Sequence, residues 1–418
     1  MKNKKFTVAI LGVGGRGGYA YGTLINEQKN KFEIVSLCDI NKTKLDFFAQ
    51  KFNVKDVFTD ENVFFEKKRA DVLIIATQDK DHYRHAMKAF SLGYDILLEK
   101  PITAKRQELD NLLNMQKKTN SKALICHVFR YAPPYRKINE ILNSGEMGKL
   151  IGINAIEQVG ALHQAQAYVR GHWRKEENSS PMILAKCCHD LDLIRQFANS
   201  RCKKVWSIGD LYYFKEENAP KNSSIRCIDC ELKDTCQYSA KTEYLDRWIE
   251  SGRPIDGYPF NVPCLAPITE EKIIDALKNS RYGKCVFHSD NDVVDHQVVL
   301  MTFENDVVAT LTMTAFASIC ARKIELFCTL GHISFNEVEG TIRICRHGIG
   351  EKIIKIDEIV DHASLHGGGD KGLIEDLYAM LTDKKDQKTS LEVSAESHYI
   401  GFAAEESRKN GGKPIVMN

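Results

Sequence analysis

The first residues with the spacing of a chemical site are four glycines near the start of the chain. Gly12, Gly14, Gly15 and Gly17 follow an apolar, β-branched run and precede a helical pattern. Glycines permit a tight turn and let backbone N–H groups approach a pyrophosphate, whose charge also suits a helix N-terminus. Asp39 ends the second apolar run, where its carboxylate can accept hydrogen bonds from ribose hydroxyls. We therefore predict a dinucleotide site, with NAD preferred to NADP because Asp39 would repel a 2′-phosphate.

A second group of chemical residues stands at the end of a later apolar run, in the order Glu99, Lys100 and Pro101. The carboxyl end of a parallel strand borders the cleft in which ligands of α/β sheets bind. An ammonium group at that place can donate a hydrogen bond to a developing oxyanion and orient it. The bond before Pro101 can be cis, which would aim Lys100 into the cleft.

A third pattern is a cluster of cysteines, Cys227, Cys230 and Cys236, among thirteen cysteines in the chain. The odd count and the expected reducing compartment argue against disulfides. Thiolates at this spacing can chelate one zinc ion, which would stabilise a segment that has little core of its own. We predict a structural zinc site, with an iron–sulfur cluster or three free thiols as alternatives. Candidates for a fourth ligand are Cys202, Cys264 and Cys285.

The elements that must position these residues begin with a parallel sheet. Over the first 125 residues, short apolar runs alternate with amphipathic segments, which is typical of a doubly wound α/β (Rossmann) fold. The predicted strands are Phe6 to Leu11, Glu33 to Cys38, Val72 to Ala76, Asp95 to Leu98 and Ala123 to Cys126. The predicted helices are Tyr19 to Gln28, Lys42 to Phe52, Asp81 to Leu92 and Lys105 to Thr119.

The remainder of the chain predicts a second, α+β domain. Strands in close succession between 298 and 346 indicate a large, open and mainly antiparallel sheet. A further strand is predicted over Ile151 to Glu157. A segment at about 215–265, which contains the cysteine cluster, is predicted to be an insertion. Helices are predicted over Leu184 to Phe197, from Gly367-Gly368-Gly369-Asp370 and over Leu391 to Lys409. We thus expect an NAD-binding domain over 1–128 and a substrate-binding and oligomerisation domain over 129–418.

The composition excludes several classes of protein. The 418 residues include 58 Lys and Arg against 56 Asp and Glu, a net charge of +2, whereas binding to nucleic acid needs a basic domain or stripe. No apolar run approaches the ~18 to 20 residues that cross a bilayer. The apolar N-terminal run ends in glycines without a cleavage site for a signal peptidase. We predict a cytoplasmic protein with neither nucleic acid nor membrane as a partner.

As a set, these motifs resemble the glucose-fructose oxidoreductase, inositol dehydrogenase and rhizopine-catabolism (Gfo/Idh/MocA) family. The resemblance extends over nearly the whole chain and implies oxidation or reduction of a secondary alcohol on a sugar, cyclitol or related molecule with a nicotinamide cofactor. It rests on the glycine loop, Asp39, Glu99-Lys100-Pro101, the run from Thr77 to His82, His172-Trp173-Arg174, the helix with His189-Asp190-Leu191-Asp192, and the terminal sheet.

The resemblance also implies roles for individual residues. Lys100 would lie beside the reacting oxygen, and His189 would accept the hydroxyl proton, a task suited to an imidazole with a pKa near neutrality. Asp370 would either contact hydroxyls or cap the helix that follows it. Cofactor contacts are expected from Gly12, Gly14, Gly15, Arg16, Gly17, Asp39, Thr77, Asp79, His82, Glu99 and Lys100. Substrate contacts are expected from Arg130, Tyr131, Trp173, Arg174 and His366.

One position departs from the family pattern. Many relatives carry an Asp four residues before the catalytic His, where this chain has Ala185. Residues three apart share a helix face, so Lys186 is expected beside His189 as a third catalytic residue. With Lys100 nearby, the site would be cationic, and such neighbours lower the pKa of a lysine. Two hypotheses follow: an anionic substrate, or a neutral Lys186 that acts as a general base.

We therefore predict an NAD(P)-dependent oxidoreductase that transfers a hydride between nicotinamide and a sugar, cyclitol or sugar acid. One alternative is an NAD-assisted lyase or glycosidase, in which transient oxidation permits elimination. Another is a nicotinamide-sensing binding protein without turnover. An antiparallel sheet with one bare face would expose apolar surface, which predicts a homodimer or homotetramer.

Overall fold

The computed structural model describes residues 4–360, 365–383 and 387–417. Its first part is a six-stranded parallel sheet with the strand order β3-β2-β1-β4-β5-β6. From β1, the sheet extends to one side through β2 and β3 and to the other side through β4, β5 and β6. Chain connections therefore leave β1 and β4 in opposite directions, which places a crevice at the carboxyl ends of these two strands. The strands are β1 (Phe6–Leu11), β2 (Phe32–Cys38), β3 (Asp56–Phe58), β4 (Val72–Ile75), β5 (Asp95–Leu98) and β6 (Ala123–Ile125).

Helices cover both faces of this sheet, which explains why β4 is buried at every position. The side chain of Asn41 caps α2 by accepting a hydrogen bond from the N–H of Lys44, and Asn53 ends the helix in a left-handed conformation. The helices are α1 (Thr23–Glu27), α2 (Lys42–Phe52), α3 (Glu61–Phe64), α4 (His82–Ser91) and α5 (Arg106–Thr119). A wider helical segment, Gly15–Gly22, leads from the glycine loop into α1.

The second part is a nine-stranded mixed sheet with the order β14-β13-β12-β11-β7-β10-β9-β8-β15. Its strands alternate between buried and more exposed positions, as expected when helices cover only one face. The strands are β7 (Leu150–Gln158), β8 (Cys202–Asp210), β9 (His296–Phe303), β10 (Val308–Thr314), β11 (Ala321–Cys328), β12 (Gly331–Asn336), β13 (Thr341–Arg346), β14 (Gly350–Lys355) and β15 (Ile415–Val416).

The helices of the second part cover the inner face of this sheet and carry the candidate site. A turn at residues 186–187 separates α8 from α9, so the predicted continuous helix is interrupted. The helices are α6 (Pro133–Asn143), α7 (Ala161–His163), α8 (Met182–Ala185), α9 (Cys188–Ala198), α10 (Arg247–Glu250) and α11 (Glu270–Asn279).

The last two helices, α12 (Gly369–Leu381) and α13 (Leu391–Lys409), return to the parallel sheet. Leu373 and Leu377 of α12 are fully buried in the same apolar cluster as β1. Tyr378 contacts the rings of Phe6 and Phe32 at 5.9 and 5.6 Å. The end of the chain therefore completes the core around the first sheet.

The predicted insertion has a small apolar core of its own, contrary to expectation. Tyr244, Trp248 and Phe260 are buried there against Ile273 and Leu277 of α11. Burial of this kind supplies the stabilisation that the sequence analysis assigned to a metal ion. Among the described residues, no helix is both long and apolar enough to span a bilayer.

The predicted fold class is confirmed: a doubly wound parallel sheet is followed by a second part built on an open, mainly antiparallel sheet. The prediction missed β3, β8, β14 and β15. The boundary at residue 128 stays a prediction.

Candidate active site

The glycine loop has the shape that a dinucleotide pyrophosphate requires. Gly12 has a φ of +88°, and a Cβ on Gly17 would lie 1.9 Å from the carbonyl oxygen of Gly12. Side chains are therefore excluded at these two positions. Gly14 and Gly15 face open space: apart from its chain neighbours, no atom would lie within 4 Å of a Cβ at either position. The loop thus leaves room for a phosphate group beside the helical segment that begins at Gly15.

Asp39 is attached to the glycine loop. One carboxylate oxygen accepts a hydrogen bond from the backbone N–H of Val13, and the other accepts one from Asn41, both at 2.8 Å. Asp39 therefore fixes the distance between the loop and the end of β2. A ribose bound at this edge would meet the same carboxylate.

The side chain of Arg16 points into the protein and not into the open part of the loop. It forms ion pairs with Glu99 at 2.7 Å and with Asp370 at 2.6 Å, and it lies over the ring of Tyr21. These contacts raise the pKa of Arg16, and Arg16 holds the pKa of the buried Glu99 below its usual value. Glu99 and Arg16 therefore join the loop, β5 and α12. The Asp370 carboxylate binds Arg16, and no side-chain cap forms at the start of α12.

Lys100 follows β5 and points toward the second part of the protein. The peptide bond between Lys100 and Pro101 is cis, as the sequence suggested. The ammonium of Lys100 donates a hydrogen bond to the carbonyl oxygen of Ala185 at 2.9 Å and lies 5.9 Å from the ring of Trp173. Lys100 thus lies where the parallel sheet meets the helices that carry His189.

Two buried histidines hold the backbone that follows Lys100. Nδ1 of His82 lies 2.6 Å from the carbonyl oxygen of Pro101, and its Nε2 lies 3.2 Å from the carbonyl oxygen of Thr77. Nε2 of His398 accepts a hydrogen bond from the N–H of Ile102 at 2.8 Å. His82 therefore links the ends of β4 and β5 through its side chain.

Asp79 is buried between the two parts of the protein. Its Oδ2 accepts hydrogen bonds from the indole N–H of Trp173 at 2.9 Å and from the hydroxyl of Ser180 at 2.6 Å. The hydroxyl of Thr77 lies 3.0 Å from Nδ1 of His85. Asp79 thus positions Trp173 on the side of the cleft where Lys100 lies.

His189 lies in the first turn of α9 and is 8% exposed. Its ring contacts Phe129 at 4.9 Å and His127 at 5.9 Å, both edge to face. His127 lies 3.0 Å from Asp192, which also binds Arg130. Although burial raises the pKa of the Asp192 carboxyl, its contacts with Arg130 and His127 lower it below the usual value. His189 therefore packs against His127, which belongs to a buried polar cluster with Asp192 and Arg130.

Lys186 does not share a helix face with His189, because the chain turns at this residue. Its ammonium forms an ion pair with the fully buried Glu157 at 3.1 Å. Arg322 binds the other oxygen of Glu157 at 2.7 Å and also Asp190 at 2.8 Å. Although burial opposes the charge, Glu157 raises the pKa of Lys186. The hypothesis of a neutral Lys186 base is therefore wrong.

Two predicted substrate contacts are buried and bind carboxylates inside the protein. Arg130 forms a bidentate pair with Asp192, at 2.6 and 2.7 Å. The hydroxyl of Tyr131 donates to Asp376 at 2.7 Å. Their prediction as residues at the pocket mouth is corrected, because both side chains already bind internal carboxylates.

Of the remaining predicted substrate contacts, Trp173 borders the cleft, as described above. Arg174 pairs with Asp290 at 2.8 Å. The side chain of His366 lies outside the described residues.

Three residues of the candidate site were missed by the sequence analysis. His163 ends α7, and its Nδ1 lies 3.1 Å from the hydroxyl of Tyr258 in the insertion. No local pattern marks either residue, since 95 positions separate them in the chain. Glu157 did carry a signal, because it occupies an inward position of the alternating strand β7.

The cysteine cluster does not form the predicted metal site. Cys227, Cys230, Cys236 and Cys285 line one small cavity. Within the described ranges, however, no three His, Cys, Asp or Glu side chains are placed to hold a metal ion. The side chain of Arg170 instead donates to the sulfur of Cys227 at 3.5 Å. The prediction of structural zinc is not supported.

Comparison with known proteins agrees with this geometry. Residues 6–127 match the model of the GFO_IDH_MocA oxidoreductase family with an NAD-binding Rossmann fold. The chain is 23% identical to YteT of Bacillus subtilis (strain 168) over 382 residues, 85% of this chain and 84% of that protein. It is 21% identical to D-glucoside 3-dehydrogenase of Escherichia coli (strain K12) over 150 residues, 36% of this chain and 42% of the relative.

A solved structure extends the likeness of the fold to the whole chain. An oxidoreductase from Agrobacterium radiobacter, crystallised with NAD⁺, L-tartaric acid and magnesium, superposes with a TM-score of 0.69 at 12% identity. The match covers 99% of this chain and 98% of the other. The superposition shows the fold, and the family model identifies an NAD-binding Rossmann fold over residues 6–127. Over residues 6–127, the chain matches the NAD-binding part of the Gfo/Idh/MocA oxidoreductase family.

Proposed function

We propose that this protein is an NAD-dependent dehydrogenase that transfers a hydride between nicotinamide and a secondary alcohol of a sugar or cyclitol. The hydrogen bond between Lys100 and the carbonyl of Ala185 carries the proposal. It brings the ammonium at the end of β5 against the segment that leads into α9 and His189. A proton donor and a proton acceptor then border one cleft beside the glycine loop.

The proposed division of work follows from the two side chains. When bound, the nicotinamide ring accepts or returns the hydride. His189 takes the hydroxyl proton as the carbonyl forms, since an imidazole can act as general base near neutral pH. Lys100 donates a hydrogen bond to the substrate oxygen and stabilises the negative charge that develops there. In the reverse direction, His189 returns the proton.

NAD is proposed in preference to NADP. The carboxylate of Asp39 is held at the end of β2 by the N–H groups of Val13 and Asn41. A 2′-phosphate at this edge would meet a fixed negative charge. The backbone of the glycine loop would bind the pyrophosphate, with Gly14 and Gly15 nearest to it.

An uncharged substrate is proposed in place of an anionic one. The argument for an anionic substrate rested on an excess of positive charge around His189. Glu157 and Asp190 offset the charges of Lys186 and Arg322. The relative named D-glucoside 3-dehydrogenase supports a neutral glycoside as the first substrate to test.

The proposal is tested by incubating the protein with NAD⁺ and a mixed library of neutral, amino and acidic sugars. NADH is followed by absorbance, and products are followed by mass. We expect NADH and an oxidised sugar, with kcat reduced about 10²- to 10⁴-fold in Lys100→Met and His189→Asn. His189→Asn should bind NAD⁺ as the wild type does, which calorimetry checks.

Two results would contradict the proposal. A converted sugar without net NADH would indicate the lyase or glycosidase alternative, in which the cofactor is recycled. Binding of NAD⁺ and sugar without any product would indicate a sensing protein. The cytoplasmic location stays a prediction.

A further inference from the structure

A row of ring contacts leads from Lys100 to the insertion. The ammonium of Lys100 lies 5.9 Å from the ring of Trp173, which lies 5.8 Å from the ring of Tyr168. Tyr168 in turn lies 5.8 Å from the ring of His163, whose Nδ1 is 3.1 Å from the hydroxyl of Tyr258. These contacts connect the proposed reaction centre with a side chain from the insertion.

The Tyr258 hydroxyl is held in place although the residue is 64% exposed. It donates a hydrogen bond to Oε1 of the buried Gln166 at 2.7 Å. Two residues earlier, Asp256 accepts a hydrogen bond at 3.0 Å from Tyr19, in the helical segment that follows the glycine loop. The loop with Tyr258 is thus attached both to the helical segment that contains Gln166 and to the helical segment that follows the glycine loop. A group fixed in this way loses little entropy when a ligand binds.

His163 faces the same space as the two lysines. Burial, together with the charges of Lys186 and Lys100, lowers the pKa of His163 to about 3. The imidazole is therefore neutral near pH 7 and has one donor and one acceptor nitrogen. Aromatic faces with a few fixed polar groups are typical of sites for small ligands, and the polar groups of His163 and Tyr258 are uncharged.

We propose that His163 and Tyr258 bind a hydroxyl group of the substrate other than the one that is oxidised, and so select an uncharged sugar ring. The inference rests on the proposed function, because it names the substrate class of that site. It makes the insertion a contributor to specificity. Neither residue acts on the reacting carbon, so their removal should weaken binding and leave the chemical step unchanged.

The test uses methyl β-D-glucopyranoside and its 2-, 4- and 6-deoxy analogues as probes, with NAD⁺. For Tyr258→Phe and His163→Gln we expect KM for the parent glucoside to rise about five- to tenfold, which corresponds to one lost hydrogen bond. The kcat value should stay within about twofold. For one deoxy analogue, wild type and Tyr258→Phe should have equal KM values, because the hydroxyl that Tyr258 binds is already absent. Equal KM values for the parent glucoside in wild type and both variants would overturn the proposal.

Tyr212→Phe and His296→Gln are matched controls. These residues form another tyrosine–histidine ring contact, at 6.4 Å, outside the row described above. Their KM values should equal that of the wild type, and an equal rise in the controls would overturn the assignment.

If the wild type forms no NADH with any probe or with any sugar of the mixed library, the proposed function fails, and binding then decides the inference. The same sugars are titrated calorimetrically into protein that holds NAD⁺. Weaker binding of the parent glucoside by Tyr258→Phe supports the inference. Equal affinities, or no binding by the wild type, overturn it.

Discussion

At the scale of single residues, the site rests on buried charges that compensate one another. Glu157 is fully buried between Lys186 and Arg322, and Asp190 is the second carboxylate of the group. Ions in a protein interior are stable only with well-placed partners, because removal from water is costly. Glu157 therefore compensates the buried charges of both Lys186 and Arg322.

We predict that Glu157→Gln lowers the free energy of unfolding by about 3 to 5 kcal/mol, since two cations would lose a buried partner. Urea unfolding at pH 7 measures the change. Glu157→Gln/Lys186→Met should recover part of the loss, because one of the two cations is also removed. Glu339→Gln, on an exposed turn, serves as control and should change stability by less than about 0.5 kcal/mol. A similar loss in both single variants would show that the buried network is not the cause.

Buried histidines give the protein a predictable response to acid. Burial lowers the pKa of His398 to about 3 and that of His85 to about 4. Histidine in the unfolded chain has a pKa of about 6.5, so the unfolded state binds more protons between these values. These histidines therefore contribute their full share to the free energy of unfolding above about pH 6.5, and this contribution is lost as the pH falls toward 3.

When the pH is lowered from 7 to 5, His398 alone should reduce the free energy of unfolding by about 2 kcal/mol. Urea unfolding at both pH values measures this loss. In His398→Gln the amide oxygen can still accept the hydrogen bond from Ile102, but the group does not titrate. We expect a smaller loss on acidification in this variant. An unchanged difference between the two pH values would show that His398 does not cause it.

At the scale of elements, α12 and the glycine loop are joined by one ion pair. Asp370 is 1% exposed and binds Arg16 of the loop, which also holds Glu99 at the end of β5. A distant part of the chain thus fixes the orientation of a loop that follows the first strand. The loop geometry that we expect to bind the pyrophosphate therefore depends on α12.

We predict that Asp370→Asn weakens NAD⁺ binding about tenfold and lowers the melting temperature, because the half-buried Arg16 loses the charge of a buried partner. Calorimetric titration with NAD⁺ and a thermal melt measure the two effects. Asp376→Asn is the matched control on the same helix, since Asp376 binds Tyr131 and not the loop. It should lower stability without a change in NAD⁺ affinity. Equal affinities in wild type and both variants would refute the link between α12 and the loop.

Local signals in the sequence predicted the elements well and the pairing of charges poorly. The helix over Leu391–Lys409 and the first strand have the predicted bounds, because apolar periodicity and glycine punctuation are local. The partners of Lys186, Arg130 and Tyr131 come from distant strands and helices, so spacing could not reveal them. The expected position of Lys186 beside His189 assumed one continuous helix. The turn at residue 186 interrupts that helix, so the two side chains do not share a helix face.

At the scale of the whole molecule, the outer face of the nine-stranded sheet is partly apolar. Ile156, Val298, Val308 and Phe327 are 37% to 45% exposed and lie on neighbouring strands. Apolar side chains grouped on an uncovered sheet face are typical of an interface. We propose that two copies of this chain meet through this face.

We predict that Val298→Lys combined with Val308→Lys converts the oligomer into monomers, since charges on the interface would be desolvated. Sedimentation velocity measures the mass. Val63→Lys, at a similarly exposed position on α3, is the control and should leave the mass unchanged. A wild type that sediments as a monomer would refute the proposed interface.

The return of α12 and α13 to the parallel sheet affects how the protein is made. During translation, the six strands of this sheet leave the ribosome long before Leu373 and Leu377, which fill its core. The nascent parallel sheet therefore keeps an uncovered apolar surface until α12 has been made. Chaperones that bind such surfaces should associate with the growing chain, and a gene truncated before codon 365 should yield an aggregating product.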